Sequence, residues 1–162
     1  MEATAVVARI NDLANLSRKL NQQSDKLNEI ISSINAKLDK LNLGVEVWLD
    51  YRPIIVGDTE TCDENWQPTE PHRGATLLGY ARVGDNWQLA IKEVTLVTKV
   101  NDFREEQEEV RDPTDLKPLL QATREVRVRA MERIPTLLDS VKAEASRLLA
   151  SIEAAEKAAE EL

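Results

Sequence analysis

The chain has 162 residues and a formal net charge of −8, with 31% charged residues and 4% aromatics. That sign opposes the phosphate contacts that drive non-specific nucleic-acid binding and the pull of anionic membranes, and a single cysteine, Cys62, excludes an internal disulfide. No window approaches eighteen apolar residues, and MEATAVVARINDL lacks the basic and apolar regions of a secretory signal; a cytoplasmic protein is expected.

Glycines and aromatics divide the chain. All five glycines fall between residues 44 and 84, and all six aromatics between 48 and 103. Glycine weakens helices and aromatics favour strands, so residues 1–43 and 104–162 read as helical arms around a β-containing centre, 44–103. The expected fold class is α+β. Two long heptad-patterned helices pair as an antiparallel coiled-coil hairpin, and a three-stranded antiparallel sheet caps one end of this single structural unit.

The first arm carries a seam at heptad spacing. Val6, Leu13, Leu20, Leu27, Ile34 and Leu41 stand seven apart. Ile10, Ile31 and Leu38 fill the alternating slots, and Ser17 and Ser24 take the other two. This 3-4 pattern is that of a coiled coil. Leu16 and Ile30 widen the stripe, which suits a bundle. At ~1.5 Å per residue the helix spans about 60 Å, and Gly44 stands where a helix stop belongs.

The centre reads as strands. VEVWLDY alternates Val45, Val47, Leu49 and Tyr51 with polar neighbours until Pro53 interrupts. Residues 57–75 are acidic and hold Pro68 and Pro71, which predicts a long loop. ATLLGYARV and NWQLAIKEVTLVTKV, joined at Gly84-Asp85-Asn86, predict a hairpin. Within its second strand the apolar parity slips near Lys92-Glu93, which predicts a β-bulge or a strand bending between two faces.

The second arm steps by three and four from Met131 through Ile134, Leu138, Val141, Ala145, Leu148, Ile152, Ala155, Ala159 and Leu162. Upstream the register fails, and Pro135 sits at the switch. A helix over about 115–133, with Pro118 in its first turn and Asp115 as cap, is expected to kink or restart there and run to about 160.

Chemistry-bearing residues are sparse. His72 is the only histidine and stands among loop residues, so a catalytic base has little support around it. Cys62, Glu60, Asp63, Glu64 and His72 match neither structural-zinc nor EF-hand spacing. Gly79 and Gly84 fall beside strands and not in a strand-to-helix phosphate turn. No catalytic residue, metal or cofactor is expected.

Contact candidates are few. Trp66, isolated in the polar loop, is either folded onto the sheet or an anchor for a partner. Arg82 and Gln88 flank the hairpin turn on what should be its outer face. Arg124, Arg127, Arg129 and Arg133 concentrate positive charge on one helix, to be paired with nearby acids or offered to an acidic partner.

Two function classes follow. The first is a non-catalytic assembly or adaptor protein that homodimerises through its helical arms and binds an unknown protein, not nucleic acid or membrane. The second is a secretion-type or holdase chaperone. The size, the acidity and the helix–three strands–helix order resemble those of small bacterial type III secretion chaperones. That resemblance implies a dimer binding an extended partner segment, although the long heptad arms depart from the compact fold of that family.

Overall fold

A computed structural model describes residues 2–111 and 113–162. Helix α1 (Glu2–Leu41) leads into β1 (Val47–Trp48), β2 (Ile55–Val56), β3 (Glu60–Cys62), β4 (Pro68–Val83), β5 (Asn86–Val100), β6 (Glu106–Arg111) and β7 (Lys117–Pro118). A 3-10 turn at Leu119–Gln121 then precedes α2 (Arg124–Met131) and α3 (Ile134–Glu160).

The expected three-stranded cap on a helical hairpin is therefore corrected, among the described residues, to three helices and a seven-stranded antiparallel sheet. Strands β4 and β5 form a hairpin of 16 and 15 residues, about 50 Å long at ~3.3 Å per residue. Gly84, at φ +64°, makes the tight turn between them. Short segments line this ribbon: β1, β2 and β3 along the outer edge of β4, and β7 and β6 along that of β5.

Three boundaries move. The segment read as a loop, 57–75, holds β3 and the first half of β4. Pro68 and Pro71 are tolerated because β4 pairs with β5 only from His72 onward. The segment read as the start of the second helical arm holds β6 and β7, and Pro118 precedes a 3-10 turn. The cap of α2 is the Thr123 hydroxyl, which accepts the Val126 N–H at 3.4 Å, and not Asp115. Pro135 lies in the first turn of α3, so the helix restarts there.

The register of β4 with β5 runs unbroken from His72↔Val97 to Val83↔Asn86, so there is no bulge at Lys92-Glu93. The apolar residues change sides instead. Leu78, Tyr80, Leu89 and Ile91 face the helices and join Ile31, Leu38, Leu119, Val126, Ile134, Leu137 and Val141 in the main core. Ala75, Leu77, Val94 and Leu96 form a smaller core on the other face under Trp48. Trp48 lies flat on Gly79, where a Cβ would meet its ring at 2.3 Å, and Lys92 Nζ sits 4.2 Å from the ring centroid. On the helix side, Tyr80 and Trp87 pack with centroids 5.4 Å apart.

Candidate functional site

Helix α1 has two halves with different surroundings. From Ser24 to Leu38 its seam is set into the molecule: Ser24, Ile31 and Leu38 are buried, and Leu27, Asn28, Ile34 and Asn35 are half-buried. Beside the seam runs a second heptad row, Asn21, Asn28 and Asn35. Asn35 Oδ1 accepts the Leu89 N–H at 2.9 Å, and Asp39 Oδ1 accepts the Trp87 N–H at 3.2 Å. The helix thereby closes the stretch of β5 edge beyond β7. Asn21 Oδ1 accepts from Arg124 at 2.8 Å, and Ser24 Oγ from Arg127 at 3.3 Å, which fixes α2 against α1. Asn21 and Asn35 carry this docking with Ser24 and Asp39, whereas the buried Asn28 Oδ1 has no hydrogen-bond partner among the described residues. The heptad spacing that Asn21 and Asn35 share was the signal that could have revealed it.

From Glu2 to Gln23 every residue of α1 is exposed. Val6, Val7, Ile10, Leu13, Leu16 and Leu20 are 47–62% exposed. The seam does not end at Ser24; only its cover does. Helix α3 behaves alike: Ile134, Leu137 and Val141 are buried, yet from Ser146 onward the helix is exposed, including Leu148, Leu149 and Ile152. Neither long helix covers the other, which overturns the expected intrachain coiled coil. They approach only where Leu38, Leu41 and Leu43 meet Leu138, Val141, Ala145 and Leu149 around a groove of about 470 Å³.

The residues singled out in the sequence are dispersed. Trp66 is 84% exposed at the β3–β4 turn, with φ +59°. Asp63 Oδ1 accepts the N–H groups of Asn65 and Gln67 there, which holds the turn. Arg82 and Gln88 sit at the other end of the ribbon and on opposite faces, because Arg82 pairs with Trp87 and Gln88 with Ala81. Gln88 donates to the Val83 carbonyl at 3.2 Å. The expected common outer surface at this turn is therefore split.

The four arginines do not make a patch. Arg129 pairs with Glu125 at 2.8 Å on the exposed side of α2. Arg133 donates to the carbonyls of Arg52 and Pro53 and lies 3.9 Å from Glu132. Arg124 and Arg127 face α1, and Arg127 also donates to the Leu120 carbonyl. The acids of β6 are taken elsewhere: Glu108 pairs with Arg73, and Glu109 with Lys99 and Arg111.

His72 lies on β4 opposite Glu60, with Nε2 3.6 Å from that carboxylate and Nδ1 3.0 Å from the Glu70 carbonyl. Cys62 is opposite Pro68, so thiol and imidazole are not brought together. Three groups among the described residues are perturbed by burial or by ion-pair hydrogen bonds. Burial, with Asp39 nearby, raises the Tyr80 phenol. Burial lowers Lys92 against the pull of Glu46 and Asp50. Hydrogen bonds from Arg111 and Lys99 lower Glu109.

A cleft of about 420 Å³ on the sheet, near Gly57, Gly74, Thr76 and Thr114, has Glu93 as the one ionisable lining residue among the described residues. Among the described residues, no group of three or more His, Cys, Asp or Glu is placed to hold a metal, and no helix is long and apolar enough to cross a membrane. Comparison with protein-family models, curated proteins and solved structures gives no match to this chain. The uncovered seam of α1, together with the end of α3, is thus the feature with the clearest unmet physical requirement.

Proposed function

We propose that this chain is an assembly protein that docks a helical partner on the uncovered half of α1. One observation carries the reading: an apolar heptad seam, Val6 to Leu20, continues past the molecule's own core into solvent. An isolated helix of this length is marginal in water, so the free half of α1 gains most of its order from whatever covers it. The 3-4 spacing suits a helix packing knobs into holes. That favours coiled-coil assembly over the alternative, a chaperone holding an extended segment. The net charge of −8 disfavours nucleic acid and anionic membrane as partners. A cytoplasmic setting is part of the proposal and fits the single thiol, Cys62.

A photo-crosslinking side chain placed at Leu13 in the native host tests the reading. Asn15, on the opposite side of the helix, serves as control. Adducts from position 13 and none from 15 are expected. No adduct at 13, or equal adducts at both, overturns the proposal.

A further inference from the structure

We infer that the occupant of this seam is a second copy of the chain, held by a reciprocal contact. The free half of α1 in one protomer packs on the free half of α3 in its partner, and the partner's α1 packs on the first α3. The inference rests on the assembly reading and names its partner.

The chain has two uncovered seams of one period. On α1 it runs through Val6, Ile10, Leu13, Ser17 and Leu20; on α3 it runs through Leu148, Ile152, Ala155 and Ala159. Their bulk is complementary. The α1 row is rich in large aliphatics, and the α3 row intersperses alanines that let a facing helix approach closely. Their net charges oppose as well: residues 2–23 hold three cations and two acids, and residues 146–160 hold two cations and three acids.

The two seams cannot meet within one chain. The free half of α1 leaves the core at Ser24, beside α2. The free half of α3 leaves it past Leu149, at the Leu41–Leu43 end of α1. Helix α1 enters the core and α3 leaves it in the same sense. A two-fold axis across the core therefore lays each α1 antiparallel to the α3 of the partner subunit. Closed symmetry of this kind uses both seams and leaves no open end for further growth.

Area separates this arrangement from the simpler pairing of α1 with α1. The seam aliphatics Val6, Ile10, Leu13 and Leu20 of α1 and Leu148 and Ile152 of α3 are 44–62% exposed, and with their flanking neighbours they approach the roughly 800 Å² per protomer of a standard interface. Pairing α1 with α1 alone leaves the α3 share in water.

Light scattering and cysteine crosslinking of the full chain in a Cys62→Ser background test the inference. Scattering at tens of micromolar should give twice the 18.2 kDa chain mass. A Leu13→Cys, Ile152→Cys double variant treated with a flexible bismaleimide should yield covalent dimer. Leu13→Cys alone should yield none, and a mixture of the two single variants should yield a mixed adduct. A monomeric mass throughout, efficient dimer from Leu13→Cys alone, or a crosslink confined to one chain overturns the inference. If the protein is monomeric while position 13 still captures a different protein in the host, the reciprocal dimer fails and the assembly reading stands. Both positions are exposed, so the substitutions leave the core intact.

Discussion

The two halves of α1 share one heptad register and differ in what meets it, and their polarity runs against their exposure. The covered half holds Ser24, Asn28 and Asn35 on its docking face, whereas the exposed half holds Val7 and Ala14 in the row that Asn21, Asn28 and Asn35 continue. The docked stretch from Asn21 to Asp39 meets backbone N–H groups of β5 and guanidinium groups of α2, and these require oxygen acceptors. A buried donor without a partner is costly, so polar side chains at those positions stabilise the dock. Before Asn21 the exposed half meets no such donors, and its seam, apolar but for Ser17, is suited to another apolar helix. Exposure alone does not mark a surface as finished; an exposed stripe more apolar than the buried stretch it prolongs marks one that is not.

The largest effect expected from this contrast separates Ile31 from Leu13. Ile31 is fully buried and Leu13 is 62% exposed, yet both are seam residues. Ile31→Ala should lower unfolding free energy by about 2–5 kcal/mol. Leu13→Ala, in protein dilute enough to be monomeric, should stay within about 0.5 kcal/mol of wild type. Urea denaturation followed by circular dichroism reads both. A comparable loss for the two variants at high dilution would mean that the free half is already packed within one chain.

Next in size is the asparagine row. Asn35→Ala leaves the N–H of fully buried Leu89 unpaired, at a cost of about 1–3 kcal/mol. Amide exchange at Leu89 should quicken in the same variant. Ala14→Asn extends the row into the free half, where nothing on this chain meets it, and should leave the stability of dilute protein unchanged. If Asn35→Ala is silent, the helix is held by its seam alone and the contrast in polarity has no structural meaning.

The serines divide in the same way. Ser24 is 8% exposed and its hydroxyl accepts from Arg127. Ser24→Leu overfills that contact and should cost about 1–3 kcal/mol. Ser17→Leu fills a gap in the free seam and should tighten association by roughly 1 kcal/mol, with the unfolding of dilute protein unmoved. Sedimentation of both variants over a concentration series distinguishes them. Weaker association on Ser17→Leu would count against a coiled-coil partner.

How much of this could be read from residues alone follows from what periodicity encodes. The seam from Val6 to Leu41 and its continuation in α3 were legible, because 3-4 spacing states which face must be buried. It does not state by what, so the spacing points to an intrachain hairpin where the sheet covers one half of α1 and solvent meets the other. Glu106–Arg111 reads as part of a helical arm because its charges carry no period-two apolar signal. It is a strand because the backbone of β5 and ion pairs such as Lys99–Glu109, at 3.1 Å, hold it there. The stretch 57–75 reads as a loop from its prolines, which are permitted where β4 has a single neighbour. Asn21, Asn28 and Asn35 stood in plain heptad spacing, and a polar row beside an apolar seam is easily taken for a solvated flank.

The smallest expected effect is a pH dependence confined to the covered half. Tyr80 is fully buried beneath α1, donates to the Leu38 carbonyl at 3.4 Å, and has its phenol raised by burial and then by Asp39. The folded state therefore holds this proton more tightly than the unfolded chain does. Its contribution is complete below the unfolded phenol value of about 10 and is lost as pH rises from there towards the folded value. Lys92, lowered by burial, titrates in the same region with the opposite sign: the folded state disfavours its charge, and that penalty is relieved as pH rises. The measurement is accordingly the difference between wild type and Tyr80→Phe, which share Lys92. Above about pH 10 the wild type should lose stability relative to Tyr80→Phe, and amide exchange should quicken around Leu38 and Asp39. Residues 4–20 lie outside reach of this phenol, so their exchange should follow association state at every pH. A matching alkaline response in that half would mean that the two parts of α1 unfold as one unit, and the division at Ser24 would then be one of contact only.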